Sequence, residues 1–174
     1  MIRHHAIRTG LVFLAACGTG GSKTTFPGGE TIAFYGILVD VPAETSSASS
    51  GSHRPMNYEG APTEVTPGIT FIHPNTNDMY VEIKKLPAPV SLEGMKYSFE
   101  QQPRASRLTG RTTARGWDFE YGWKNDGAPV ATVYVRYVQL GSEQYECQYD
   151  DGNSKQLDVA DKICRSIRPK PAAK

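Results

Sequence analysis

Between Arg115 and Lys124 every second residue is a large aromatic: Trp117, Phe119, Tyr121 and Trp123 alternate with Asp118, Glu120 and Gly122. A period of two is the repeat of an extended chain, whose successive side chains point to opposite faces; a helix would scatter these four rings around its circumference. The segment is therefore expected to be a strand with one face turned to a core. Asn125-Asp126-Gly127 follows, residues that tolerate positive φ in a tight hairpin. Alternation then resumes from Val130 to Gln139, with Val133, Val135 and Tyr137 or their alternates as the inward set, and Glu143 to Tyr149 forms a further strand. Residues 107–149 thus read as an antiparallel meander. The aromatic row could line a binding groove, but a core face is the commoner use of such a row.

Upstream, Ile32-Ala33-Phe34-Tyr35 and Ile37-Leu38-Val39-Asp40-Val41 flank Gly36 and end at Pro42, which implies one bent strand or a tight strand pair. Ala43 to Gly68 is crowded with Ser, Thr, Pro and Gly and lacks apolar periodicity, so it is expected to be a long surface excursion without an element of its own. Ile69–Ile72 and Met79–Lys84 flank a turn at Pro74–Asp78 and read as a hairpin, stopped by Pro87 and Pro89. Ser91 can cap a short helix bearing Leu92, Met95 and Phe99 on one face. Near the end, Ser154 can cap a second helix whose stripe of Leu157, Ala160, Ile163, Cys164 and Ile167 runs to Pro169. The expected class is α+β: one antiparallel sheet of about six or seven strands packed against two helices.

The first sixteen residues carry Arg3 and Arg8, then the apolar stretch Leu11-Val12-Phe13-Leu14-Ala15-Ala16, too short to span a bilayer. Leu14-Ala15-Ala16-Cys17 resembles the lipobox of bacterial lipoproteins. That resemblance implies cleavage before Cys17 and acylation of its thiol, with several acyl chains giving stable anchoring. Gly18-Thr19-Gly20-Gly21-Ser22-Lys23 then serves as a tether, and Gly18 resembles the residue that follows the cysteine in lipoproteins sorted to the outer membrane. The expected organisation is a signal peptide over 1–16, a lipidated tether over 17–29, a single domain over 30–168 and a loose tail over 169–174. Its expected address is the periplasmic face of a bacterial membrane, the outer membrane in preference to the inner.

With Cys17 acylated, Cys147 and Cys164 remain in an oxidising compartment and are expected to form one disulfide joining the last strand to the last helix. Two thiols without a nearby histidine pair do not complete a zinc site, and there is no C-x-x-C redox motif. Beyond the leader the histidines are His53, in the Ser-rich excursion, and His73, before Pro74; neither sits in a ligand-spaced cluster. The chain has no G-x-S-x-G, and no free thiol is left for a nucleophile. Asp150-Asp151-Gly152-Asn153 lacks the full pattern of a calcium loop and reads as a turn before a helix. The glycines of the tether follow no strand, so they form no phosphate loop. Formal charge is +1, falling to −1 once Arg3 and Arg8 leave with the leader, too little for a nucleic-acid partner. The expectation is a protein that binds rather than catalyses, without metal or cofactor.

The order of strand run, hairpin, helix, meander and a closing helix that ends Ile163-Cys164-Arg165-Ser166-Ile167 resembles the PsbP-like α/β sandwich over most of residues 30–168. A narrower resemblance is to periplasmic immunity lipoproteins that neutralise peptidoglycan-degrading effectors of type VI secretion. It rests on the lipobox, the early strand Gly36–Pro42, Tyr80-Val81-Glu82-Ile83 followed by Leu86-Pro87-Ala88-Pro89, and the Trp/Tyr-rich meander. The disulfide pair is a departure from that group. The resemblance implies occlusion of a secreted cell-wall hydrolase, with the Ala43–Gly68 excursion as candidate docking surface. Two other functions fit the residues: an envelope structural or assembly factor, and a glycan hydrolase, which needs convergent carboxylates in a cleft.

Overall fold

In the computed structural model, which describes residues 24–50, 67–72 and 79–172, the first apolar run turns back on itself. Tyr35 and Gly36 both take positive φ, 38° and 91°, and the turn pairs β1 (Glu30–Phe34) with β2 (Ile37–Val41), Phe34 opposite Ile37. Of the two readings left open by the sequence, the tight strand pair is the one formed. Cys17, the leader, His53, His73 and the Pro74–Asp78 turn lie outside the described residues.

The remaining elements are β3 (Ser46–Ser50), β4 (Gly68–Ile72), β5 (Tyr80–Lys85), α1 (Leu92–Glu100), β6 (Ala105–Thr113), β7 (Gly116–Asn125), β8 (Ala128–Leu140), β9 (Glu143–Asp150), α2 (Leu157–Ser166) and β10 (Arg168–Pro169). Seven strands form one antiparallel sheet in the order β3-β4-β5-β9-β8-β7-β6, and β1-β2-β10 form a second. The expected single sheet is thus two. The reason is that the N-terminal hairpin buries its own apolar face over the large sheet instead of extending it: Ile37, Val39 and Val41 are fully buried against Phe71, Val81, Ile83, Tyr145 and the α2 stripe Ala160, Ile163, Cys164 and Ile167.

The second core lies on the other face of the large sheet. Trp117, Phe119 and Tyr121 of β7 and Val133, Val135 and Tyr137 of β8 pack under Met95 and Phe99 of α1, with Trp123 partly covered. The aromatic row is therefore core, as the commoner use of such a row implied. Trp117 stacks on Tyr137 at 3.8 Å between centroids and donates its indole N–H to Val90 O at 3.2 Å. Ser91 caps α1 as expected, its Oγ accepting from Gly94 N at 3.0 Å.

Several boundaries differ from expectation. Ser46–Ser50, placed in the structureless excursion, forms β3, because pairing on the edge of β4 uses backbone groups and needs no apolar pattern. Residues 51–66 of the excursion lie outside the described residues. Thr25 and Phe26, placed in the expected tether, belong to the domain instead: Phe26 is buried and Thr25 N donates to Asp40. The tail is tied down at its start: Pro169 pairs with Ile37, and Lys170 N donates to Gly36 O at 2.8 Å. Ser154 does not cap α2. The Asp150 carboxylate accepts Asn153 N in a local turn, Ser154 is buried with its N–H on Asp150 O, and the helix begins only at Leu157, after Gln156.

Cys147 and Cys164 are bonded, with their Cα atoms 5.6 Å apart and both side chains in the first core. They join β9 to α2 over a sequence separation of 17. Loss of this cross-link is expected to lower stability by about 3 kcal/mol, chiefly by enlarging the unfolded ensemble. Urea melts of the Cys147→Ser/Cys164→Ser protein against the oxidised parent read this directly. Coincident midpoints would show that the bond contributes nothing.

Candidate functional site

The two cores cover the large sheet diagonally. The hairpin sheet and α2 cover one face over β4, β5 and β9, while α1 covers the other face over β6, β7 and β8. On the α2 side, among the described residues, this leaves the β6–β8 half of the sheet without a layer. There a half-open groove of about 420 Å³ runs beside α2, with Thr109, Arg111, Asp118, Glu120, Tyr134, Arg136 and Tyr149 on its floor and Asp161 and Arg165 on the helical wall.

Strand register assembles the floor. Arg111, Asp118 and Arg136 stand directly opposite one another on β6, β7 and β8. Asp118 accepts from Arg111 Nε (3.0 Å) and Nη2 (2.9 Å) and from Arg136 Nε (2.7 Å) and Nη2 (3.0 Å). Arg136 Nη2 then lies 3.5 Å from Asp161 Oδ1, and Asp161 pairs with Arg165 one helical turn on. Five ionised groups form one chain from the sheet edge to the helix. At the helix end Arg115 donates to Ile167 O (3.1 Å), completing a carbonyl that α2 leaves without an internal partner.

Burial would lift the Asp118 carboxyl, but the hydrogen bonds from Arg136 and Arg111 outweigh it and hold the group below the usual carboxylate range. Arg136 is desolvated too, yet its contacts with Asp118 and Asp161 push its proton affinity above that of a free arginine. Tyr134 and Tyr149 stack at 5.1 Å, and both hydroxyls are shifted upward, Tyr149 by burial and then Asp161, Tyr134 by burial and then Glu120. Asp118 thus stays an anion and both phenols stay protonated near neutral pH. The groove presents guanidiniums paired with carboxylates and two stacked phenol rings.

Sequence reading named Cys147 and Cys164, which the fold brings together, and Asp150-Asp151-Gly152-Asn153, whose carboxylates serve the turn: Asp150 accepts from Asn153, and Asp151 Oδ1 accepts from Thr132 N at 2.7 Å. It did not find the arginine chain, whose members lie far apart in sequence. It also passed over Asp40. This carboxylate, 2% exposed, accepts from Thr25 N and Oγ1, Thr31 Oγ1 and Arg168 Nη2, and the Asp40 backbone N–H donates to Ser166 Oγ. One acid inside an otherwise apolar strand, Ile37 to Val41, was the available signal.

Among solved structures, the chain is similar to that of cyanobacterial PsbP (CyanoP) from Synechocystis sp. PCC 6803, with a TM-score of 0.56 and 11% sequence identity over 90% of this chain and 99% of the other. The fold is PsbP-like. At this identity the likeness shows the architecture alone. No protein-family model matches the sequence, and no curated protein does.

Proposed function

We propose that this chain is a lipid-anchored, periplasm-facing binding protein that docks a protein partner along the β6–α2 groove, acting as an immunity-type inhibitor of a peptidoglycan-degrading effector. One observation carries the binding reading: the half-open groove is lined by arginines held on the Asp118 and Asp161 carboxylates and by two tyrosines stacked on each other. Such side chains lose little conformational freedom on docking, and Arg and Tyr are the types that dominate interface energetics. Acid–base chemistry is less well served, because each shifted group in the groove is held in the protonation state it already has at neutral pH. The PsbP-like fold accords with a domain outside the cytoplasm, and the anchor is read from Leu14-Ala15-Ala16-Cys17, which resembles a lipobox.

Affinity capture with the C-terminally tagged protein from envelope and secreted fractions tests the function. The expected result is one stoichiometric cell-wall hydrolase whose activity falls on addition of the protein. Recovery of envelope machinery would replace the inhibitor by an assembly factor, and capture of no protein would refute the reading. Anchoring has its own check: Cys17→Ser is expected to move the protein from the membrane pellet to the soluble periplasmic fraction. Unchanged sedimentation would overturn the lipid anchor.

A further inference from the structure

Strand register divides the groove floor into two rows. In one, Arg111, Asp118 and Arg136 lead to Asp161 and Arg165 on α2, and every charge has a partner of opposite sign. In the next, Thr109, Glu120, Tyr134 and Tyr149 stand opposite one another across β6, β7, β8 and β9. Glu120 is exposed and is the one charge of that row at neutral pH. Arg111 and Arg136 stand diagonal to it, but each turns both its Nε and its Nη2 to Asp118. On its own strand the next cation is Lys124, four residues on and about 13 Å away along an extended chain. Among the described residues, Glu120 thus has no ion pair.

The ring beside it is held in place. Tyr134 stacks on the buried Tyr149 at 5.1 Å with the planes 15° apart, and, itself half-buried, lines the groove. Beyond this pair Asp151, also exposed, accepts from Thr132 N. Burial, then the Glu120 and Asp151 carboxylates, raise the Tyr134 phenol above its ordinary value, so the ring brings no charge of its own. The face of an aromatic ring is negative and acts on a cation in the same sense as a carboxylate. Groove and Asp151 together hold four carboxylates to three guanidiniums, and the two carboxylates without a guanidinium are at this end. An anionic side chain would meet two like charges here. An apolar one would strip water from Glu120 and give nothing in return.

We infer that the end of the groove at Glu120 and Tyr134 receives a basic side chain of the partner protein, its cation on the Glu120 carboxylate and its methylenes along the Tyr134 ring. The inference rests on the binding reading above and names the chemistry that the groove recognises.

The test uses the Cys17→Ser protein with its disulfide intact, labelled with 13C and 15N, at low ionic strength. Three capped alanine peptides are titrated, with lysine, glutamate or norleucine at the central position. With the lysine peptide, the Glu120 carboxyl and Tyr134 ring signals are expected to shift saturably, and Glu120→Gln, which leaves the ion pairs of the other row intact, is expected to weaken this binding by about threefold or more. The glutamate and norleucine peptides are expected to leave both signals unchanged. No shift with the lysine peptide, an equal response to either of the others, or full binding to Glu120→Gln would each overturn the inference. The captured hydrolase supplies a second readout: Glu120→Lys, which sets like charges together, is expected to lower its affinity by about tenfold or more. The two readings fail separately. A hydrolase bound equally by the Glu120→Lys protein sinks the basic contact and leaves the inhibitor standing, whereas capture of no partner sinks the function whatever the peptides do.

Discussion

Replacing Asp40 with alanine is expected to lower stability by about 3–5 kcal/mol, the range for removing one member of a buried charged pair and stranding the other. The carboxylate ties four pieces of chain together: residue 25, β1 through Thr31, its own strand β2, and β10 through Arg168. Its backbone N–H reaches the end of α2 at Ser166. Burial alone would raise its pKa, but hydrogen bonds from Arg168, Thr31 and Thr25 bring it from 3.8 down to about 2. A carboxyl whose folded pKa is depressed adds stability that is fully present above its unfolded pKa and is lost as pH falls through the folded one. Asp40 should therefore contribute about 2 kcal/mol at neutral pH that disappears between about pH 5 and pH 2. Urea melts across that window should show a steeper acid decline in the parent than in Asp40→Asn. Matching slopes, or a neutral-pH loss under about 0.5 kcal/mol for Asp40→Ala, would show that the latch is not closed in solution.

Phe99→Ala should cost a similar amount, about 3–5 kcal/mol, by a different route. Its ring, 3% exposed, lies 4.3 Å from the ring of Tyr121 and 4.9 Å from that of Phe119, and together with Met95 it fastens α1 to the sheet. The helix is nine residues long and contains Gly94, too short and too poor a sequence to persist by propensity. The truncation therefore opens a cavity and also loosens the helix. Denaturation with amide exchange read at residues 92–100 checks both. A loss below about 1 kcal/mol, with exchange in α1 unchanged, would mean that the second core is not organised around this ring.

These two sites also show what a sequence can and cannot disclose. Phe99 was readable, since Leu92, Met95 and Phe99 recur at helical spacing behind a capping serine, and a local pattern suffices to find the face. The meander was readable for the same reason, its period-two rows and the turn at Asp126-Gly127, both with positive φ, being local. The groove was not, because it depends on register. A two-residue turn pairs Asn125 with Ala128 and Lys124 with Pro129, a count that would put Asp118 opposite Val135. A bulge at Trp123/Lys124 adds one residue on β8, which leaves Val130 exposed and moves Arg136 into place. A one-residue slip exchanges an apolar neighbour for a charged one, and no local signal announced it. The second sheet escaped for a related reason: β10 is two residues long and pairs across more than a hundred positions, with no periodicity to reveal it.

The architecture concentrates fixed charge on one side of the large sheet. Among the described residues each face of the large sheet is half covered, and the uncovered half beside α2 is the one where charge has been fixed instead of removed. Asp161 and Arg165 come from a helix that the disulfide bonds to β9, so the wall of the groove is held by the same cross-link that stabilises the first core. Docking there would meet a surface with little left to order.

The most direct measurement is site-specific photo-crosslinking in living cells, with a photoreactive residue placed at Glu120 on the groove floor or at Tyr97, 68% exposed on α1 against the opposite face of the sheet. A discrete adduct of one mass from position 120 and none from position 97 is the result expected if the groove is the docking surface. Adducts from position 97 alone, or equally from both, would contradict it.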